Sequence, residues 1–86
     1  MYEIILAKAA GKYFEEAHAS LQKRIDRCFA QLESEPRRHN NIKPLKGQFA
    51  GYFRFRVGQY RIIYRIDDEA GTVVVVDIAD RKDVYE

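Results

Sequence analysis

The stretch from Tyr52 to Ile66 reads YFRFRVGQYRIIYRI, and it constrains the fold more than any other part of the chain. Apolar and basic residues alternate on both sides of Gly58-Gln59. That pattern predicts two strands joined by a two-residue turn, with glycine at the first central position where such turns favour it. Counting outward pairs Val57 with Tyr60, Arg56 with Arg61, Phe55 with Ile62, Arg54 with Ile63 and Phe53 with Tyr64. Directly opposed residues share a face. One face is then continuously apolar, with Tyr60 and Tyr64 in the core. Arg54, Arg56 and Arg61 project from the other face, joined by Arg65. A slip of one residue would turn the whole apolar set outward, so the register is strongly specified.

The arginine face is the chemical signal. Arg56 and Arg61 stand opposite each other, an arrangement that costs up to about 1 kcal/mol unless an anion lies near them. Each guanidinium fork can bind two phosphate oxygens. The wider charge pattern agrees. The 31 residues from Pro36 to Ile66 hold eight basic side chains, and all 13 acidic residues lie outside this segment. Such segregation points to a polyanionic partner, either nucleic acid or an acidic protein.

The remaining elements are read around the hairpin. Tyr2–Leu6 predicts a first strand. Lys8–Ala17 predicts a helix, with Ala9, Ala10, Tyr13, Phe14 and Ala17 at helical spacing. His18-Ala19-Ser20 is the expected break, with Ser20 as N-cap. A second helix over 21–34 carries Leu21, Ile25, Cys28, Phe29 and Leu32 on one face, and Pro36 ends it. Residues 36–51 read as a basic loop, with Asn40-Asn41, Pro44, Gly47 and Gly51 as turn residues. Asp67 to Gly71 is a turn. Thr72–Ala79 (TVVVVDIA) reads as a central strand covered by helices. Simple alternation puts Asp77 on the face of Val73 and Val75, where it needs a partner such as an arginine of the hairpin. The expected fold class is α+β in the order β-α-α-β-β-β: an N-terminal strand, a two-helix hairpin and a three-stranded antiparallel sheet with the helices on one face. Residues 1–86 are expected to form a single domain.

Several function classes are disfavoured. The longest apolar run, VVVV at 73–76, is far too short for a membrane span. The N-terminus MYEIILAKAAGKYFEE meets acids at once, unlike a signal peptide. The single cysteine, Cys28, cannot form an internal disulfide, which fits a cytoplasmic location. Two isolated histidines and one cysteine lack metal-ligand spacing, and no Gly-rich phosphate loop is present. No cofactor is expected.

Three motifs together carry a resemblance: KPLKG at 43–47, FRFRVGQYRIIY at 53–64 and DRKDVY at 80–85. The chain resembles the RelE/ParE superfamily of toxin–antitoxin toxins over essentially its whole length. For RelE-like members the resemblance implies an mRNA interferase, a metal-free endoribonuclease acting in the ribosomal A site. The 2′-hydroxyl attacks the adjacent phosphate and leaves a cyclic phosphate and a 5′-hydroxyl. The implied partners are the ribosome with its message and a cognate RelB-like antitoxin.

Carried over by position, Arg61 binds phosphate and stabilises transition-state charge. Arg54 and Arg56 stand where relatives commonly carry lysines. Arg81 protonates or stabilises the leaving oxygen, and Tyr85 stacks on a base or orients the 2′-hydroxyl. Arg37, Arg38, Lys43 and Lys46 grip ribosomal RNA, with Arg65 and Lys82 as further contacts; Arg65 has Asp67 as an alternative partner. Arginine is a poor general base because its pKa exceeds 12. Asp80, Lys82, Asp83 and Tyr85 are left as candidates for that role. Either the ribosome and RNA supply part of the chemistry, or activity rests on electrostatics and positioning. Two other functions share the fold: a ParE-like inhibitor of DNA gyrase without nuclease activity, and a catalytically degenerate relative.

Overall fold

A computed structural model describes residues 1–80, with Asp80 described by its backbone. The elements are β1 (Glu3–Leu6), α1 (Lys8–Glu16), α2 (Ala19–Ser34), β2 (Ile42–Pro44), a 3-10 turn (Gly47–Phe49), β3 (Phe53–Val57), β4 (Tyr60–Asp67) and β5 (Thr72–Asp80). The β3–β4 hairpin has the register counted from the sequence, from Phe53 opposite Tyr64 to Val57 opposite Tyr60. Gly58 takes a φ of 60° at the turn, which only glycine adopts without strain.

The sheet is larger than expected. It has five strands in the order β1-β5-β4-β3-β2, and it is mixed rather than a three-stranded antiparallel sheet. One additional strand joins at each edge. β1 runs parallel to β5, with Ile4 opposite Val73 and Leu6 opposite Val75, and α1 and α2 form part of the connection that parallel pairing requires. β2 lies within the segment expected to be loop. Ile42, Lys43 and Pro44 pair with Phe55, Arg54 and Phe53. Pro44 has no N–H to donate, and at the edge of the sheet none is needed.

The apolar face packs under both helices, as expected. Ile42, Phe55, Ile62 and Ile78 oppose one another across four strands. Ala10, Leu21, Ile25, Cys28 and Leu32 close over them. Tyr64 is fully buried. Its hydroxyl donates to the Pro36 carbonyl at 2.6 Å, and its ring stacks on Phe53 with centroids 5.6 Å apart. Tyr60 is half-buried, edge-on to Tyr13. Burial pushes the Cys28 thiol up to about 11, against a smaller downward pull from Arg24.

Two local details differ from expectation. The N-cap of α2 is His18 rather than Ser20. The His18 Nδ1 accepts from the Leu21 N–H at 3.2 Å, and the Ser20 hydroxyl lies 2.8 Å from the same nitrogen. A β-bulge also interrupts β4–β5: Tyr64 opposes Val75, but Ile63 opposes Asp77, leaving Val76 as the extra residue. The bulge inverts the alternation. Asp77 therefore leaves the face of Val73 and Val75 and joins Ile63 on the arginine side, which spares the core a carboxylate. Its Oδ1 accepts the Ile78 N–H at 2.9 Å. No helix among the described residues is long and apolar enough to cross a membrane.

Candidate nucleic-acid interface

The face of the sheet away from the helices is organised by strand pairing. Lys43, Arg54, Ile63 and Asp77 form one row across β2, β3, β4 and β5. Arg56, Arg61 and Ala79 form the next. The opposed arginines foreseen from the sequence are thus present, with Lys43 beside Arg54. Their depths differ. Arg54 retains only 4% of its exposure and Arg61 only 8%, whereas Arg56 is exposed.

The buried arginines still open onto surface cavities. Arg54 lines one cavity with Lys43 and Lys46, and another with Asn40, Asn41 and Arg56. Arg61 and Arg56 line a third beside Gly58 and Tyr60. Lys46, Lys43, Arg54, Arg56 and Arg61 consequently border a series of neighbouring recesses that share lining residues. Each guanidinium of Arg54 and Arg61 presents a planar fork of N–H donors. Partial burial lowers the effective dielectric around them and strengthens their pull on an anion. Chemically, the arrangement can hold a phosphodiester and stabilise additional negative charge on it.

Other basic residues lie apart from this cluster. Arg37 pairs with Asp68 at 2.9 Å, and Asp68 also accepts the Tyr2 hydroxyl at 2.6 Å. Those hydrogen bonds, Tyr2 first and then Arg37, hold the Asp68 carboxyl below its ordinary value. Asp68 follows the end of β4, seven residues beyond Arg61, so this pair sits past the far end of the strand from Arg61. Arg38 is exposed on the loop after α2, and its backbone carbonyl accepts from Gln31. Arg65 is exposed opposite Val74, further along β4. Asp67 is engaged with its own turn, where Oδ1 accepts the Ala70 N–H at 3.0 Å. Arg81, Lys82, Asp83 and Tyr85 lie outside the described residues, so their proposed roles have no geometry here.

Two participants, Arg24 and Arg27, escaped the sequence reading, and a third, Asp77, was expected on the opposite face. Asp77 reaches the basic face through the bulge. Arg24 and Arg27 of α2 line a groove that also includes Arg56. Their spacing marked them only as polar positions on an amphipathic helix, with nothing local to say which neighbour they would face. No three His, Cys, Asp or Glu side chains among the described residues converge to hold a metal ion.

Comparison with known proteins fits this geometry. Residues 4–85 match the family model described as ParE toxin of the type II toxin–antitoxin system, parDE. Toxin RelG of Mycobacterium tuberculosis is 44% identical over 61 residues, which span 71% of this chain and 68% of that protein. The RelBE2 toxin–antitoxin complex of Mycobacterium tuberculosis contains a chain that matches at 32% identity with a TM-score of 0.78, over 93% of this chain and 98% of that one. The archaeal RelE–RelB complex of Pyrococcus horikoshii shares the fold, with a TM-score of 0.81 at 22% identity over 96% of this chain and 98% of its counterpart. Matched by the family model along nearly its whole length and by relatives above 30% identity, this chain belongs to the RelE/ParE family of type II toxin–antitoxin toxins.

Proposed function

We propose that this toxin is a ribosome-dependent, metal-free endoribonuclease that cuts mRNA in the A site and is neutralised by a RelB-like antitoxin. The observation that carries the proposal is Arg56 directly opposite Arg61, with Arg54 and Lys43 adjacent on the same face. Like charges gathered this way are relieved by an anion between them. The scissile phosphate fits that position.

In the proposed reaction the 2′-hydroxyl oxygen attacks phosphorus, and the bond to the 5′-oxygen breaks. The products are a 2′,3′-cyclic phosphate and a 5′-hydroxyl. Negative charge grows on the non-bridging oxygens in the transition state, where Arg61 and Arg54 stabilise it from fixed, largely buried positions. Arg56, being exposed, captures and orients the strand. Arginine cannot take the 2′-hydroxyl proton. The 2′-hydroxyl proton passes to water, and water protonates the departing 5′-oxygen. Rate enhancement therefore rests on positioning and charge, with Arg81 stabilising the leaving oxygen by charge and hydrogen bonding and Tyr85 stacking on a base. The antitoxin assignment draws on the solved relatives, which are toxin–antitoxin complexes.

A gyrase-directed, non-nuclease toxin is the second reading, favoured by the ParE description of the matching family model. In vitro translation of a defined message followed by primer extension separates the two. Wild type is expected to cut at A-site codons only when ribosomes are present. Arg61→Ala should lower cleavage by about 10² to 10³, the usual cost of losing one transition-state donor. Tyr85→Ala, which removes the stacking ring, should also lower it. An intact message with wild-type toxin, together with inhibition in a gyrase supercoiling assay, would establish the second reading instead.

A further inference from the structure

A second basic recess lies around the corner from the strand face, between α2 and the β2–β3 edge. Its lining includes Arg24 and Arg27 from α2, His39 and Asn41 from the segment before β2, and Arg56 from β3, in a volume of about 360 Å³. No carboxylate is among its described lining residues. Arg56 also borders the two recesses that contain Arg54 and Arg61. The groove and the strand-face recesses thus adjoin at Arg56, and Asn41 and Gly58 each line the groove and one of the two recesses.

The groove is held in place by packing. A Cβ built on Gly58 would meet the Arg24 Nη2 at 2.7 Å, so the Arg24 guanidinium rests directly against the hairpin turn. The His39 ring packs on Phe55 with centroids 4.9 Å apart. Its Nδ1 accepts the Asn41 N–H at 3.0 Å, which leaves the proton of the neutral ring on Nε2, a donor. Arg24, Arg27 and Arg56 repel one another in this setting, and the groove offers donors to an anion from three elements at once.

We infer that this groove binds backbone phosphates of the RNA strand as it leaves the cleavage face, so that the RNA track turns at Arg56 and continues between Arg24, Arg27 and His39. The inference rests on the RNA-cleaving reading above and extends it to a second surface. An RNA strand is favoured over an acidic protein segment because the groove shares Arg56 with the proposed phosphate site, and one continuous polyanion satisfies both.

The test is fluorescence anisotropy of the purified toxin with fluorescein-labelled 2′-O-methyl oligoribonucleotides, which lack the attacking hydroxyl. Two lengths are compared, a trinucleotide and a 12-mer. The double variant Arg24→Gln/Arg27→Gln is expected to bind the 12-mer about 10-fold more weakly. Its salt-dependence slope should be smaller by about 1.4, two phosphates at roughly 0.7 each for a single strand. Trinucleotide binding should be unchanged. Arg61→Gln should weaken both lengths. A double variant that binds the 12-mer like wild type, or loses both lengths equally, overturns the groove assignment. The variant Arg24→Lys/Arg27→Lys guards against misfolding, because it keeps both charges and should retain most of the wild-type slope. A slope as low as that of the glutamine variant would count against phosphate contact. Tighter binding of polyglutamate than of RNA of equal charge would assign the groove to an acidic protein and overturn the inference. If wild type binds neither oligonucleotide, the groove inference falls, while the RNA-cleaving reading is decided separately by the primer-extension assay; if wild type binds both and the glutamine variant matches it, the groove inference alone falls.

Discussion

Each arginine of the hairpin was assigned to its face by counting from Gly58-Gln59, and the observed register agrees residue by residue. What the count could not give was depth. Arg54 is sunk and Arg56 exposed although they lie two residues apart on one strand. Depth is set by neighbours distant in sequence, including β2 alongside β3, and no local pattern encodes it. Tyr64 shows the converse. Its place in the core was legible, but not the hydrogen bond from its hydroxyl to Pro36, which ties the centre of β4 to the end of α2. Tyr64→Phe keeps the ring stacked on Phe53 and leaves the Pro36 carbonyl without that donor. The expected loss is about 1 to 3 kcal/mol, the cost of an unsatisfied buried acceptor. It is measured as a lower urea midpoint with an unchanged m-value.

At the scale of elements, both helices and the three long strands were readable because each repeats a pattern over several residues. The first strand, Tyr2–Leu6, was read as well, but β2, the bulge and the parallel pairing of β1 were not. β2 is three residues long and ends in proline, so it offers no alternation to detect. The bulge sits in TVVVVDIA, where four consecutive valines carry no phase and the inversion at Val76 leaves no trace. Parallel pairing of β1 was equally hidden, since it depends on a partner some 70 residues away. The hairpin turn, by contrast, links the legible fold to the groove that was missed. Gly58→Ala forces alanine into the left-handed region and drives its Cβ against Arg24; Gly71→Ala imposes the same strain at φ 69° with open space around it. Each should cost about 1 kcal/mol from backbone strain. The contact at Gly58 adds little stability loss, because the end of an arginine side chain can move aside. What separates the variants is RNA: Gly58→Ala should weaken 12-mer binding by displacing Arg24, and Gly71→Ala should not. Equal RNA binding by the two variants, at matched stability in urea titrations, would mean that the placement of Arg24 against the turn has no bearing on the groove.

Across the whole molecule, the acid-free segment from Pro36 to Ile66 is divided by the fold into two jobs. Lys43, Lys46, Arg54, Arg56 and Arg61 line the recesses of the strand face. Arg37 instead joins Asp68 and Tyr2, so that the N-terminus, the loop after α2 and the β4–β5 turn meet at one carboxylate. Because the Tyr2 hydroxyl and Arg37 favour the ionised carboxylate, the folded Asp68 titrates below its ordinary value of 3.8. The unfolded chain then takes up this proton first as the solution is acidified. The stabilisation is therefore present in full above about pH 4 and is lost as pH falls through the folded value. The cluster is exposed to solvent, so salt should screen the ion pair and leave the Tyr2 hydrogen bond largely intact. Asp68→Asn should unfold at a lower urea concentration than wild type at pH 7, and the gap should narrow as pH falls below about 4. Adding about 0.5 M salt at pH 7 should narrow the gap without abolishing it. A gap that persists unchanged at pH 2 would mean that the asparagine acts through packing and that the carboxylate charge does not hold these three segments together.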